Sequence, residues 1–481
     1  MDIILSIDQG TTGTTIVAVN QQGLISRQAY REIPQSYPQP GWVEHDPQAI
    51  LKSVREGIFE ILKDGDLHPV AVGITNQRET ALIWNRKDGR SLCPAIVWQC
   101  RRTEDFCQTI KPHEDHIRRV TGLPVDAYFS ASKWRWMLEH YPEGRSDDWI
   151  VGTIDSWLIW NLTGEHLIDA TNASRTQLLD LEKVSWSNEM IDLFGISFNQ
   201  LPEVRSSMSD FGTIRDVPGL EGVPIFGVAG DQQAALFGQT CFETGEAKNT
   251  YGTGAFLLMN TGNKRIHSQH GLISTLAING DGNTCHALEG SVFICGAAIQ
   301  WLRDGLNILE SALESEELAA TLSDNEGVYF VPALVGLGAP HWNGEARGLI
   351  TGITRGTRQA HFVRAALEAM AFQSEDLLST MESELGEKLN HIAVDGGASS
   401  NNLLMQFQAD ISKRTFHRPT QVESTALGAA YLAGWRADFF GSSSHLKSLK
   451  NHEKSFSPTM DEPERQRKLK GWKDALAKTL A

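Results

Sequence analysis

The stretch that decides the fold lies near the start of the chain and reads DIILSIDQGTTGTTIVAV over residues 2–19. Residues 2–8 are apolar enough for a buried strand, residues 9–14 form a turn rich in Gly and Thr, and residues 15–19 predict a second strand. Small turn residues let the backbone approach a phosphate chain, to which amides and hydroxyls can donate hydrogen bonds. Taken alone, the pattern favours an ordinary β-hairpin.

A second stretch of the same kind follows almost half a chain later. There AKNTY (247–251) leads into a Gly-Thr-Gly turn (252–254) and then into AFLLM (255–259). Two hairpins with Gly/Thr tips, one in each half, predict two domains on a related plan whose tips face each other across a bound polyphosphate. We predict domains at residues 1–245 and 246–481.

Strands that end in Gly/Asp loops and pass into helices recur between and after the hairpins. Residues 223–229 predict a strand that ends at Gly230-Asp231, ahead of a helix from Ala234. Residues 392–394 predict another, which runs through a Gly-Gly-Ala turn into a helix at about 401–413. This alternation is typical of α/β folds, in which ligands collect at the carboxyl ends of strands.

Composition excludes several classes of protein. The 481 residues are 41% hydrophobic and 21% charged, with a net charge of −16, which argues against disorder and against a nucleic-acid partner. The start has no basic n-region and no run approaches 18 apolar residues, so we expect a cytoplasmic protein without membrane insertion. The six cysteines lack metal-site spacing and are expected to be free thiols.

The C-terminal residues 461–480 predict a helix. Leu469, Trp472, Leu476 and Leu480 recur on one face at helical spacing, among six Lys and Arg residues. A helix lying on a membrane surface is one interpretation. A helix docked on its own domain is favoured, because the apolar stripe is narrow and acidic residues are mixed in.

The common nucleotide motifs are absent from the sequence. No Gly-Lys dipeptide occurs, which excludes a Walker-type loop, and no strand–GxGxxG–helix unit is present. Asp8 ends the first strand, and its carboxylate could face phosphates only through a divalent cation. The Gly396–Asn401 turn at a helix start could receive a nucleoside by close backbone approach.

Residues 8–12 (DQGTT) resemble the phosphate loop of the sugar-kinase family that includes glycerol, xylulose and gluconate kinases. The resemblance spans about residues 3–472 and is strongest to the members that phosphorylate glycerol. It implies two actin-like (ribonuclease H-like) α/β ATPase domains flanking a deep cleft. The stretches that carry it are GITNQRET (73–80), WQCRR (98–102), YFSASK (128–133), GDQQAALFGQ (230–239), NTYGTG (249–254) and the segment 348–368.

The resemblance implies ATP-dependent phosphorylation of glycerol to sn-glycerol 3-phosphate, with ATP and Mg²⁺. Asp231 matches the general base, and a carboxylate at a strand end suits that task, although it also fits a helix N-cap. Arg78 and Glu79 match the pair that holds the glycerol hydroxyls, since Arg donates and ionised Glu accepts hydrogen bonds. A structural ion pair is the alternative interpretation of these two residues.

The remaining site residues are implied position by position. Tyr128 and Gln232 match hydroxyl contacts, while Trp98 and Phe256 match the apolar walls of the glycerol site. Asp8 matches the Mg²⁺ ligand, with Asp231 nearby. The matches to phosphate and nucleotide contacts are Thr11, Thr12, Gly13, Thr253, Gly296, Gln300, Gly397 and Asn401.

Two other functions remain open at this point. A kinase of the same family could act on a pentulose or another polyol. A nucleotide-dependent binding protein of the actin/Hsp70 type would close on ATP without phosphoryl transfer, but it would not need an acceptor site such as Arg78 and Glu79. The family resemblance also implies a homodimer or homotetramer.

Overall fold

The structure, a computed structural model, describes residues 1–389, 391–421, 423–450 and 452–481. The strands of the first half are β1 (Asp2–Gln9), β2 (Gly13–Val19), β3 (Ile25–Glu32), β4 (Glu44–His45), β5 (His68–Asn76), β6 (Leu82–Asn85), β7 (Ala95–Ile96), β8 (Trp149–Gly152), β9 (Leu167–Asp169), β10 (Leu179–Asp180), β11 (Ser185–Trp186), β12 (Glu203–Arg205) and β13 (Ile225–Gly230). Its helices are α1 (Pro47–Leu62), α2 (Glu104–Ile110), α3 (Glu114–Thr121), α4 (Ser130–His140), α5 (Ile154–Thr163), α6 (Ala170–Ala173), α7 (Asn188–Phe194) and α8 (Asp231–Gly238).

The second half continues the alternation of strands and helices. Its strands are β14 (Ala247–Tyr251), β15 (Ala255–Gly262), β16 (Ile273–Ile278), β17 (Thr284–Val292), β18 (Tyr329–Val331), β19 (Leu349–Thr351), β20 (His391–Asp395), β21 (Thr415–Pro419) and β22 (His452–Phe456). Its helices are α9 (Gly296–Asp304), α10 (Glu314–Ala320), α11 (Gln359–Leu385), α12 (Asn402–Ser412), α13 (Ser424–Arg436), α14 (Ser443–Leu449) and α15 (Glu462–Leu480).

The first half is built around a five-stranded sheet in the order β13-β5-β1-β2-β3. Strands β1 and β2 form the antiparallel hairpin predicted from residues 2–19. Strand β5 runs parallel to β1 with Thr75 opposite Asp8, and β13 runs parallel to β5 with Ala229 opposite Thr75. The carboxyl ends of β1, β5 and β13 therefore meet at one edge of this sheet.

The second half contains a seven-stranded sheet in the order β16-β17-β15-β14-β20-β21-β22. Strands β14 and β15 form the second predicted hairpin, and β20 runs parallel to β14 with Asp395 opposite Thr250. The inner order β17-β15-β14-β20-β21 repeats the order β3-β2-β1-β5-β13 of the first sheet. The two sheets share one plan, and the predicted α/β class is confirmed.

Strand β1 is apolar without alternation, because the first sheet is covered on both faces. Its residues 3–7 are all buried. Helix α1 packs against β2 and β3, while α13, from the second half of the chain, packs against β1, β5, β13 and α8. The approach is very close: a Cβ on Gly428 would lie 1.8 Å from the Ala234 carbonyl oxygen. Backbone packing therefore fixes the second half against the first sheet.

The terminal helix α15 is docked on its own half of the chain, as predicted. Trp472 is buried and stacks on Phe372 of α11 with ring centroids 5.2 Å apart. Lys468 is also buried and pairs with Asp324. In the ranges described, no helix has both the length and the apolar character needed to cross a bilayer. All six cysteines are free thiols, five of them buried.

Candidate active site

Three predicted site residues meet where β1, β5 and β13 end. Asp8 belongs to β1, Arg78 follows β5, and Asp231 follows β13. Arg78 Nε lies 3.1 Å from Asp231 Oδ1, and the Asp231 side chain is 33% exposed, so a ligand can reach it. Helix α8 begins at Asp231 and is N-capped by Gly230, not by Asp231 as its sequence also allowed. Asp231 Oδ1 accepts a hydrogen bond from the Gln232 amide at 2.7 Å.

Asp8 has the chemistry of a cation ligand. Burial, together with the neighbouring carboxylates of Asp231 and Glu423, raises the pKa of Asp8 to about 8. A divalent cation would relieve that repulsion, and Mg²⁺ is commonly held by one or two carboxylates with water and phosphate oxygens completing its shell. In the described part of the chain, no three His, Cys, Asp or Glu side chains form a ready metal cage. Asp8 and Asp231 fit Mg²⁺ only together with a bound nucleotide.

The turn at Arg78 and Glu79 is strained and firmly held. Glu79 has a φ of 63°, in the left-handed region that favours glycine, and the Thr80 amide donates to the Arg78 carbonyl at 2.8 Å. Ser130 Oγ and Lys133 Nζ donate to the Glu79 carbonyl at 3.1 and 3.2 Å. The YFSASK stretch therefore holds this turn, which places Arg78 beside Asp231 and leaves the Arg78 and Glu79 side chains only 2% and 1% exposed.

A buried cluster of charges surrounds these two side chains. Arg175 Nε donates to Glu79 Oε1 at 2.6 Å. Glu289 accepts from Arg78 Nη1 at 2.5 Å and from Arg175 Nη2 at 3.1 Å. Burial acts to raise the pKa of Glu289, but the two guanidinium groups hold it at about 2. The predicted pair Arg78 and Glu79 is thus part of a larger ion-pair network.

The predicted aromatic walls lie beside the first hairpin. Trp98 Nε1 donates to Thr11 Oγ1 at 3.0 Å, and the Trp98 ring meets the Tyr128 ring edge to face, with centroids 5.6 Å apart. Burial, and the charge of Glu79, raise the pKa of the Tyr128 hydroxyl. The structure therefore brings a predicted phosphate contact and two predicted glycerol contacts together.

Gln232 and Phe256, from opposite halves of the chain, are joined by Lys248. Its Nζ donates to Gln232 Oε1, to Thr250 Oγ1 at 2.9 Å and to the Phe256 carbonyl at 3.2 Å. Burial lowers the pKa of Lys248 to about 8, against the opposing influence of nearby carboxylates. The predicted substrate contacts therefore come from both halves of the chain.

The second hairpin tip rests on the start of α9. The Gly296 amide donates to the Gly252 carbonyl at 2.9 Å, and the Cys295 amide donates to the Thr253 carbonyl at 2.9 Å. A Cβ on Gly296 would lie 2.6 Å from the Gly252 carbonyl oxygen, so only glycine permits this approach. Gln300 is exposed one turn further along α9. Thr253, Gly296 and Gln300 thus form one group.

Gly397 and Asn401 belong to a separate loop after β20. Asn401 caps α12 by accepting from the Leu404 amide at 2.9 Å, and Gly397 is exposed. In the described ranges no hydrogen bond joins either residue to Thr253 or Asp231. Their nucleotide contacts, like the Thr12 and Gly13 phosphate contacts in the first hairpin, stay predictions.

Both halves of the chain match one known protein family. Residues 3–238 match the N-terminal domain of the FGGY family of carbohydrate kinases, and residues 247–437 match its C-terminal domain. The chain belongs to this family. An FGGY kinase has the predicted actin-like ATPase fold, so the expected fold class is confirmed.

This FGGY kinase has relatives of similar length. It is 48% identical to glycerol kinase from Pseudothermotoga lettingae over 99% of this chain and 98% of that protein. It is 47% identical to glycerol kinase 2 from Thermotoga maritima over 100% and 99%. Plasmodium falciparum glycerol kinase with ADP superposes with a TM-score of 0.95 at 37% identity, covering 100% of this chain and 99% of that one. Xylulose kinase from Lactobacillus acidophilus shares the fold, with a TM-score of 0.88 at 22% identity over 99% and 97%.

Sequence reasoning missed three charged residues of this kinase's site. Arg175, Lys248 and Glu289 are buried, and each contacts at least one predicted site residue. A signal existed for two of them: Lys248 lies in the predicted strand directly before the Gly-Thr-Gly turn, and Glu289 follows the apolar pair Ala287-Leu288, and a charge in a buried strand is costly unless it is paired. Their partners could not be named without the sheet arrangement.

Proposed function

We propose that the protein transfers the γ-phosphoryl group of ATP to glycerol and forms sn-glycerol 3-phosphate and ADP. The observation that carries this proposal is the pairing of Arg78 with both Asp231 and Glu79, close to the ring of Tyr128. Such a site offers donors, an acceptor and a base to a small polyol. Identities of 47–48% to glycerol kinases along the whole chain support glycerol as that polyol.

In the proposed reaction Asp231 is the general base. Its Oδ1 is engaged by Arg78 and by the Gln232 amide, so we assign the incoming proton to Oδ2. As the glycerol oxygen attacks, its bond to the γ-phosphorus forms, the bond from that phosphorus to the leaving ADP oxygen breaks, and the hydroxyl proton passes to Asp231. Arg78 and Glu79 orient the adjacent hydroxyls for in-line attack.

The proposed nucleotide site uses both hairpins. Thr11, Thr12 and Gly13 supply donors from the first tip and Thr253 from the second, while the adenosine would lie near Gly296, Gln300, Gly397 and Asn401. Mg²⁺, when held at Asp8 and Asp231, would neutralise charge on the phosphate oxygens. Amide and hydroxyl donors at fixed positions stabilise the charge that develops on the transferred group.

Three further properties are part of the proposal. We place the domain boundary between residues 245 and 246, supported by the family matches that end at 238 and resume at 247. We propose a homodimer or homotetramer, to be measured by analytical ultracentrifugation. We propose a cytoplasmic location, where ATP is available, to be measured by cell fractionation.

A substrate panel tests the activity. ADP release is measured with glycerol, xylulose, ribulose, erythritol and gluconate as separate acceptors. Release that depends on added polyol and is fastest with glycerol is the expected result. Preference for a pentulose would assign the alternative kinase activity, and nucleotide binding without polyol-dependent release would contradict phosphoryl transfer altogether.

A further inference from the structure

Glu289 is a carboxylate within an otherwise apolar part of the second sheet. On β17 it lies opposite Leu258 of β15 and Ile273 of β16, and only 2% of it is exposed. A charge buried among apolar strands costs free energy unless it is paired and hydrogen-bonded. The ionised side chain can therefore be buried at this position only because side chains of opposite charge pair with it.

The partners of Glu289 come from the other half of the molecule. Arg78 donates from Nη1 to Oε2 at 2.5 Å and from Nη2 to Oε1 at 3.1 Å, and Arg175 Nη2 also donates to Oε1 at 3.1 Å. A bidentate pair of this kind fixes the plane of a guanidinium group. The second sheet thus holds a side chain whose backbone lies 211 residues earlier in the chain.

This pairing decides which donors of Arg78 face the substrate site. Nη1 also donates to Gln233 Oε1 at 3.3 Å, and Nε lies 3.1 Å from Asp231 Oδ1. Arginine has five N–H groups, and in the described part of the chain one N–H of Nη2 has no partner. The Arg78 side chain is only 2% exposed, and we assign this N–H to a hydroxyl of the acceptor.

Without Glu289 the Arg78 guanidinium group would no longer be held in this orientation. Arg78 would then turn its two terminal nitrogens toward Asp231, because that carboxylate would be its nearest remaining bidentate partner. The acceptor would lose a donor, and the base would be engaged on both oxygens. Arg175, which Glu289 also holds, fixes the Glu79 side chain through its 2.6 Å hydrogen bond.

We propose that Glu289 is a positioning residue of the acceptor site. From the second sheet it orients Arg78 directly and orients Glu79 through Arg175. The proposal rests on the proposed function, because the ligand whose binding it controls is the acceptor polyol. It makes the polyol site depend on a charge from the second sheet, although Arg78, Glu79 and Asp231 follow strands of the first.

Steady-state kinetics of Glu289→Gln test this proposal, with glycerol and ATP varied separately. The amide keeps the size of the side chain but removes its charge, so we expect the glycerol KM to rise roughly 10- to 100-fold. The ATP KM should stay within about twofold of the wild-type value. Glu289→Asp retains the charge with a shorter reach, and should give a smaller rise that is again confined to glycerol. It replaces the amide variant if that variant does not fold.

Glu368→Gln is the matched control. Glu368 is also buried in α11 and is paired with Arg364 and Lys468, so the substitution removes the same charge from a different ion-pair cluster. Both KM values of this variant should stay within about twofold of wild type.

The outcomes separate the two proposals. Equal rises in both KM values of the Glu289 variants, or an unchanged glycerol KM, would overturn the positioning role while leaving the kinase activity standing. A wild-type protein that releases no ADP with glycerol would overturn the proposed function, and the positioning role with it.

Discussion

Glu289 and Glu368 are both buried and both paired with basic side chains, yet their pKa values are shifted in opposite directions. Glu289, at the active site, meets two guanidinium groups, which hold its pKa at about 2. Glu368, where α15 docks on α11, accepts from Arg364 Nε at 2.9 Å and lies 3.5 Å from Lys468 Nζ, and its pKa is raised by burial. Its Oε2 has no hydrogen-bond partner.

The difference shows what one bidentate arginine and a second guanidinium contact achieve that single contacts do not. Around Glu289 both carboxylate oxygens are satisfied, so the ionised form is favoured despite burial. Around Glu368 one oxygen is left unsatisfied, and the loss of hydration dominates. The active-site cluster is therefore organised around permanent charges, whereas the cluster at α15 joins two helices. The predictions below test that distinction.

Asp231→Asn should give the largest change. Loss of the general base should lower kcat by roughly 10²–10⁴ while ATP binding is retained. The matched control is Asp324→Asn in the cluster at α15, which should leave kcat near the wild-type value. Steady-state ADP release and calorimetric ATP titration measure the two quantities. Near-normal turnover of Asp231→Asn would remove this residue from the role.

Arg78→Ala should act mainly on acceptor binding. It removes a donor from the polyol site and leaves Glu289 partly unpaired, so we expect the glycerol KM to rise roughly 100-fold and by more than the ATP KM. Arg364→Ala removes a buried arginine from the other cluster and should lower the melting temperature with little change in either KM. Comparable rises of both KM values in Arg78→Ala would indicate general disruption.

The two glutamates should give opposite pH dependences of stability. The folded pKa of Glu289, about 2, lies below the ordinary 4.5, so its contribution is present above pH 4.5 and is lost as the pH falls toward 2. The folded pKa of Glu368 is raised, so its contribution increases as the pH falls through that value.

Both pH dependences are measured by urea unfolding of wild type, Glu289→Gln and Glu368→Gln between about pH 6.5 and pH 3.5. The quantity compared is the change of the unfolding free energy with pH. For Glu289 the difference in unfolding free energy from wild type should shrink with acid by about 1.4 kcal/mol, because only the titration between the ordinary pKa of 4.5 and pH 3.5 falls within this range. For Glu368 the wild type should gain stability relative to its variant. If the two stability differences changed with pH in the same direction, the proposed difference between the two ion-pair clusters would be contradicted.

Trp98→Phe should have the smallest effect. It keeps an aromatic wall but removes the hydrogen bond to Thr11, and a single neutral bond is worth about 1 kcal/mol, or roughly fivefold in a KM. We expect modest rises in the KM values for both substrates, because this bond links the acceptor wall to the phosphate loop. Trp136→Phe, in the aromatic cluster with Trp42 and His140, should leave both values unchanged. A larger effect at Trp136 than at Trp98 would contradict the link.

Much of the fold could be predicted because its signals are local. The hairpin of residues 2–19, the strand before Asp231 and the terminal helix all follow from apolar periodicity and turn residues. The helix that we predicted from Ala234 begins three residues earlier, at Asp231. The Asp231 carboxylate accepts a hydrogen bond from the Gln232 amide, and a negative charge at this position stabilises the start of a helix. Strand ends that share one sheet edge also explain why Asp8 and Asp231 meet.

The sequence by itself determined the paired hairpins and most of the residues that surround the proposed acceptor. Turns and strand ends depend on residues that are close together in the sequence, so both can be predicted from it. Tertiary structure alone decided that Glu289 and Arg175 pair with Arg78 and Glu79 and that α13 covers the first sheet. The reason is physical: the free-energy cost of a buried charge depends on its partners, and these partners are brought together only when the two sheets pack against each other.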